Sequence, residues 1–542
     1  MVAWMFSTSR NGDVVIQTEQ ELAGLAISLG AAELGAISVS ERALASCGVV
    51  PSKAELSRSR KAISSGLDPL GEYFCKLRSP AERRPVGATY TPHAIVSAMT
   101  SWASSRKPIR VVDPGAGSGR FIIAAGRSIP GAELVAVETD PLAALLCRAH
   151  LVAAGFAKRA RVITRDYRRL ELPAIGGPTV FLGNPPYVRH HLIEPQWKSW
   201  LVEKARSVGL EASQLAGLHV YFFLATARLA QNGDFGVLVT AAEWLDVNYG
   251  ALVRRLFLGA LGGESLHVVE PEALPFSDAA TTAVVSCFKI GARPRSVRMR
   301  RIAALSDLEP LDGGRPVRRE RLDTASRWTP LTHSPKKVPS GHVELGELCR
   351  VHRGQVTGFN KVWIADSHSE QLPDSLLFPS VTRARELFDT GDSLNDLHRL
   401  KRVIDLPVDL DVLSSNDRRQ VNRFLKFARS MGADKGFIAE HRKAWWSVGL
   451  RKPAPILATY MARRTPAFVR NLASARHINI AHGIYPRELL APRVLDALVR
   501  HLNSYTSLSD GRMYAGGLTK FEPKEMERLI IPSLELLVSM TA

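Results

Sequence analysis

Between residues 109 and 290, short runs rich in Val, Ile and Leu alternate with amphipathic stretches, and no other feature of this chain constrains its fold as much. Strands are expected at Ile109–Asp113, Glu133–Glu138, Arg161–Asp166, Thr179–Gly183, Phe235–Thr240, Leu266–Glu270 and Ala283–Ile290. Helical stretches such as Pro141–Ala154 and Val220–Ala230 separate several of them. Such alternation predicts an α/β domain with a largely parallel sheet covered on both faces. A chain of 542 residues is too long for that domain alone. The expected organisation is an N-terminal helical region over 1–84, in which no chemistry is recognised, and an α/β domain over 85–291. A basic linker over 292–340 and a separate mixed α/β domain over 341–542 follow.

Val111-Val112-Asp113-Pro114-Gly115-Ala116-Gly117-Ser118-Gly119 reads as a buried strand entering a glycine-rich turn, with a helix after it. Glycines let a backbone approach a ligand closely, and a helix N-terminus offers free N–H groups. The next strand ends at Glu138, where nucleotide-binding α/β folds place an acid that takes ribose hydroxyls. A glycine loop alone is compatible with a plain tight turn, and the acids Asp113 and Glu138 argue against that reading. The spacing is G-x-G-x-G, not the G-x-G-x-x-G of dinucleotide binders. An acid closing the first strand suits a ligand with cationic amino and sulfonium groups better than a pyrophosphate, which favours S-adenosylmethionine among nucleotide-like cofactors.

Asn184-Pro185-Pro186-Tyr187 follows the fourth expected strand, at the end of the sheet where open α/β folds bind ligands. The exocyclic amine of adenine is a poor nucleophile because its lone pair is delocalised into the ring. The Asn184 side-chain oxygen and the Pro185 carbonyl could accept its two hydrogens and draw the nitrogen towards a tetrahedral, nucleophilic form, with the prolines stiffening the backbone. Tyr187 would stack on a base extruded from the duplex. In isolation the tetrapeptide could merely end a buried strand. Its order after the glycine loop and the acidic second strand favours the catalytic reading.

With these motifs the chain resembles the N6-adenine amino-methyltransferases of bacterial restriction–modification systems, in the arrangement that ends in a target-recognition domain. The resemblance is strong over 85–291 and looser beyond. It implies a Rossmann-like S-adenosylmethionine-dependent methyltransferase fold and methylation of adenine N6 in double-stranded DNA. Gly87-Ala88-Thr89-Tyr90-Thr91-Pro92 resembles the family's upstream motif, so Thr91 is implied at the methionine end of the cofactor. Asp113, Gly115 and Gly117 match the glycine loop, Glu138 the ribose acid, Asp166 the acid that reads the cofactor's adenine, and Phe222 the aromatic packed on that adenine. Phe276 corresponds to a second aromatic against the flipped base, and an anchoring role for it in the next strand is an equal alternative. Gly217 departs from the pattern, standing where the family often has Asp or Asn. Arg353–Lys361 and Gly516–Pro523 resemble segments of the family's recognition domain.

The formal net charge of +19 points to a polyanionic partner. Residues 421–476 hold twelve Arg/Lys against two acids, Asp434 and Glu440, with Trp445, Trp446, Tyr460 and Phe468 interleaved. That stretch is expected to track the DNA backbone. Five scattered cysteines support neither a disulfide framework nor a zinc site, so no metal is expected. With no long apolar run and no signal-like N-terminus, a cytoplasmic chain away from membranes is expected. The resemblance implies a monomer, with a separate cognate restriction endonuclease acting on the same site. Three alternatives share parts of the pattern. Methylation of a protein glutamine amide or an RNA guanine uses the same tetrapeptide, usually without a basic C-terminal domain. N4-cytosine enzymes usually begin it with Ser. A DNA-binding protein with a vestigial fold would not need Asn184, Tyr187 and the glycine loop intact.

Overall fold

In the computed structural model, residues 16–83, 91–270, 273, 282–332, 338–514 and 518–541 are described. The seven expected strands form as β1 (Arg110–Asp113), β2 (Glu133–Glu138), β3 (Ala160–Thr164), β4 (Thr179–Gly183), β5 (Phe235–Ala241), β6 (Gly263–Val269) and β7 (Ala283–Lys289). β8 (Ser296–Ile302) and β9 (Arg315–Arg318) extend the same sheet. Its order is β3-β2-β1-β4-β5-β7-β6-β8-β9. β7 and β9 run antiparallel to their neighbours and the other pairings are parallel. Because β1 lies between β2 and β4, successive connections leave it in opposite directions, and a crevice opens beyond the carboxyl ends of β1 and β4.

Helices α1 (Glu19–Ser28), α2 (Val39–Ser46), α3 (Lys53–Ser64), α4 (Pro69–Leu77) and α5 (Pro80–Arg83) precede the sheet. α6 (His93–Ser104), α7 (Arg120–Ser128), α8 (Pro141–Ala153), α9 (Pro195–Arg206), α10 (Leu218–Leu229), α11 (Ala251–Leu258) and α12 (Arg319–Thr324) follow along the chain. Alternate strand residues point to opposite faces, and both faces are covered. Val111, Leu134, Ala136, Val180 and Leu182 pack with α6 and α7, while Val112, Val135, Val137 and Phe181 pack with Phe222 and Ala225 of α10. α8 is apolar nearly all round for a reason visible in its contacts. Ala144, Cys147 and Leu151 face the sheet, and Leu142, Leu145, Leu146 and Ala149 receive Leu22, Leu25, Ile63 and Leu70 from the N-terminal helices.

The expectation of a linker over 292–340 is corrected, because part of that stretch supplies β8, β9 and α12. Val297, Met299 and Ile302 are buried, but the intervening arginines hide their alternation in the sequence. Two of those arginines serve the fold itself. Arg300 donates to His267 Nδ1 (2.9 Å) and to the carbonyl of Leu308 (2.6 Å), and Arg301 pairs with Glu270. The division between the two compact units, Met1–Pro335 and Lys336–Ala542, falls near the end of the same stretch.

The second unit is mixed α/β. Its largest sheet joins Cys349–Arg353, Ala481–Pro486, Ile456–Thr459, Phe468–Asn471 and Ser393–Leu394 in that order. The helix Pro492–Tyr505 covers that sheet through Leu498 and Leu502, and the helix Ser415–Ser430 packs Val421 and Phe424 on Trp363 in a neighbouring core. Among the described residues no helix is long and apolar enough to cross a membrane.

One buried ion pair ties α2 to α8. Arg148 Nε donates to Glu41 Oε1 at 2.6 Å, and Thr164 and the Ser38 amide donate to Glu41 Oε2 at 2.8 and 2.7 Å. Burial alone would raise the Glu41 carboxyl, but Arg148 and these donors outweigh it and hold the group below its ordinary value. The pair therefore stabilises fully at neutral pH, and its contribution is lost as pH falls through the folded-state value. Arg148→Met should cost about 3–5 kcal/mol at pH 7 and progressively less in acid. Urea denaturation at several pH values measures this, and E41L/R148M should recover much of the loss.

Candidate active site

Beyond β1 and β4 lies a cavity of about 380 Å³, and the expected site residues Thr91, Gly115, Gly117, Glu138, Asp166, Asn184, Pro186 and Phe222 line it. Asp113 is buried at the tip of β1, behind Gly115. Pro185 is buried next to Asn184, and Tyr187 is partly buried against the sheet core. Phe276 and Gly87–Tyr90 lie outside the described residues, as do Gly516 and Gly517.

The glycine loop takes its shape from backbone that other residues adopt at a cost, since Gly117 and Gly119 have φ of 53° and 97°. That path points the Gly117 amide at Glu138 Oε2, 2.8 Å away, while the amides of Thr139 and Asp140 donate to Oε1 at 2.7 and 2.9 Å. A carboxylate has about four acceptor positions, so Oε2 retains capacity towards the cavity. Burial raises Glu138 above its ordinary value and pushes Asp113 up to about 8. One wall of the cavity is aromatic, with Tyr167 stacked on Phe222 (centroids 5.1 Å apart, planes 21° apart). Asp166 also faces the cavity, but Arg168 already binds its carboxylate and lies over Trp197 at 3.5 Å.

At the Asn184–Tyr187 tetrapeptide the Asn184 amide is held from one side only. Its Nδ2 donates to Thr91 Oγ1 at 2.9 Å. Among the described residues its Oδ1 is buried and meets no donor, and the same holds for Asp113 Oδ2. Tyr187 Oη donates to the Val239 carbonyl at 3.4 Å, which fixes the ring at the carboxyl end of β5. Gly217 begins α10 and does not line the cavity, whereas Leu218 does.

The N-terminal helices, in which no chemistry was expected, supply part of the wall, namely Gly71, Phe74 and Cys75 of α4 and Arg83 of α5. Arg120, Arg165, Tyr167 and Arg168 were also missed. Tyr167 and Arg168 directly follow Asp166, so adjacency was a usable signal for them. For α4 the only signal was the Asp68-Pro69 helix start, which marks a helix and not a site.

In the second unit the basic stretch 421–476 divides. Arg470 pairs with Asp496 (2.7 Å), Arg442 donates to the Val356 carbonyl, and Arg476 donates to the Leu450 carbonyl at 3.0 Å and lies over Phe378. Tyr460 and Phe468 are core residues, and Trp445 and Trp446 pack against a core. Arg451 and Lys452 instead join Arg350, His352, Tyr485 and Pro486 around an open hollow of about 460 Å³. Among the described residues, no group of three or more His, Cys, Asp or Glu is placed to hold a metal ion.

The strand order, the glycine loop and the acid-tipped β2 define a Rossmann-like methyltransferase domain followed by a separate C-terminal domain. Two family profiles match the chain, N-6 DNA Methylase over residues 67–259 and Type II methyltransferase M.Eco57I, C-terminal domain, over 337–541. The chain is 50% identical over 531 residues to the type II methyltransferase M.XamI of Xanthomonas campestris pv. amaranthicola, covering 96% of this chain and 99% of that one. It is 23% identical over 492 residues to the type II methyltransferase M.AccI of Acinetobacter calcoaceticus, covering 86% and 89%. In fold it is similar to the type IIL restriction–modification enzyme MmeI solved in complex with DNA, with a TM-score of 0.55 and 13% identity over 89% of this chain and 72% of that one. The chain belongs to the type II methyltransferases, the DNA-modifying enzymes of restriction–modification systems.

Asp113 offers a test of the site's electrostatics. Burial pushes its carboxyl up to about 8, so its contribution to stability is complete below the unfolded value and is lost as pH rises through about 8. Unfolding free energies measured between pH 5.5 and 7.5 should fall less for Asp113→Asn than for the wild type. Equal declines would show that Asp113 is already ionised.

Proposed function

We propose that the chain transfers a methyl group from S-adenosylmethionine to adenine N6 in double-stranded DNA. The observation that carries this reading is the Asn184 amide, pinned through Nδ2 with Oδ1 buried and lacking a donor at the cavity wall. Leaving such an acceptor unpaired costs about 1–3 kcal/mol, and an incoming amino group would satisfy it. Asn184 Oδ1 accepts one amino hydrogen and the Pro185 carbonyl the other, which localises the lone pair on nitrogen. Tyr187 provides the surface on which the extruded base stacks. Its phenol is held neutral by burial, which raises it well above its ordinary value.

The residues around the cavity suit S-adenosylmethionine, which when bound supplies an electrophilic methyl group on sulfonium. Glu138 has acceptor capacity left for ribose hydroxyls, and Tyr167 and Phe222 offer a flat wall for a purine. Asp166 reads the purine amino group with the carboxylate that it shares with Arg168. Glu138 places an acidic group on the cavity wall, and Asp113 lies buried behind Gly115. No metal takes part. The protein acts as a monomer, beside a separate cognate endonuclease.

The hollow in the second unit contacts the DNA backbone. Arg350, His352, Arg451 and Lys452 come from distant parts of the sequence, and its lining contains no acid. Such contacts bind phosphate irrespective of sequence and respond to salt through counterion release.

Two outcomes are expected. Asn184→Ala should lose at least about a hundredfold in kcat for methyl transfer to DNA while its affinity for S-adenosylhomocysteine stays near the wild-type value; an active variant would remove Asn184 from the chemistry. R451A/K452A should weaken DNA binding equally on cognate and unrelated duplexes and lower the slope of log affinity against log salt by about 2. An unchanged slope would place the phosphates elsewhere.

A further inference from the structure

The loop that starts α4 carries Asp68, a buried carboxylate with both oxygens engaged. Oδ1 accepts from the Gly71 amide at 2.7 Å, and Oδ2 accepts from Ser118 Oγ at 2.7 Å and Arg120 Nε at 3.2 Å. Arg120 then donates through Nη1 to the Thr91 carbonyl at 2.6 Å, and Thr91 Oγ1 accepts from Asn184 Nδ2 at 2.9 Å. We infer that Asp68 and Arg120 are positioning residues for methyl transfer, holding Thr91, and through it the Asn184 amide, in the orientation that keeps Oδ1 clear of protein donors.

Three features distinguish this connection from a casual surface network. A Cβ at position 71 would stand 2.3 Å from Asp68 Oδ2 and 2.6 Å from Ser118 Oγ, so a larger residue would displace the very side chains of this network. The close approach of α4 to the glycine loop is therefore built in. Asp68 and Arg120 are also largely out of water, with side-chain exposures of 6% and 19%. Taking such a pair out of water costs much of what the pair returns, so stability alone is a poor reason to retain it. Finally, Arg120 is the second residue after Ser118 at the start of α7, so one guanidinium joins the glycine loop, the start of α4 and the segment before α6.

An amide carries no charge, and in a cavity it turns readily unless its other end is held. A shift of about 1 Å in a group that must meet a reacting atom can cost about a hundredfold in rate. The relay would therefore appear in kcat and leave cofactor affinity nearly unchanged.

The inference rests on the reading of Asn184 given above, and a double-mutant cycle separates the two. Asp68→Asn, Thr91→Val and D68N/T91V are compared by kcat for DNA methylation, by affinity for S-adenosylhomocysteine and by melting temperature. Each single variant should lose about tenfold or more in kcat, and D68N, whose residue does not line the cavity, should keep its affinity within about threefold of wild type. The double variant should be no worse than the weaker single by more than about threefold, because residues in one chain of contacts are not additive. Losses that multiply, or a D68N variant with wild-type kcat, overturn the relay. If D68N melts more than about 5 °C early, the pair R120K and R120Q decides instead. Arg120→Lys keeps the cation and should retain more activity than R120Q, and equal losses overturn the proposal. An active N184A variant would sink the underlying reading, whereas an inactive N184A with fully active D68N sinks only the relay.

Discussion

A buried oxygen without a donor is unfavourable by about 1–3 kcal/mol, and the Asn184 amide presents one at the end of β4. Such an arrangement persists only where the surrounding structure over-determines it. Here the restraint comes from Thr91 on one side and from Pro185 and Pro186, which limit the backbone, on the other. The strand beneath is rigid, because Thr179–Gly183 is buried throughout and hydrogen-bonded to β1 and β5. An acceptor held in this way keeps its orientation, and preorganisation of this kind is what lowers barriers in polar sites.

The reversal of strand order at β1 explains why acids and glycines meet this amide in one place. Strands β1, β2 and β4 end side by side, so Asp113, Glu138 and Asn184 converge although 71 positions separate the first from the last. The glycine loop then threads between them with two left-handed residues. Burial of Asp113 and Glu138 favours their neutral forms in the absence of a cation, and a cationic ligand at that end would reverse the balance. The same crevice thus combines a polar floor with the apolar wall of Tyr167 and Phe222.

The sheet was legible because its strands are short, apolar and separated by capped helices, and Glu133–Glu138 and Thr179–Gly183 fall where the pattern placed them. β8 was not legible, because a strand with one wet face full of arginine resembles a basic linker. The site's glycines and acids were legible as local motifs. The contribution of α4 was not, because Gly71, Phe74 and Cys75 reach the cavity only through tertiary packing of the N-terminal helices on α8. A similar limit applied to the basic half. Composition located the cations of 421–476, but it could not separate Arg470, committed to Asp496, from Arg451 and Lys452, which line a hollow with residues a hundred positions upstream.

The most direct test of the central chemistry is nucleoside-resolved mass spectrometry of unmethylated DNA incubated with the protein and S-adenosylmethionine carrying an isotopic methyl group. Labelled N6-methyladenine in the digest is the expected product. Label in N4-methylcytosine, or in protein or RNA alone, would contradict the assignment of the Asn184 acceptor to an adenine amine.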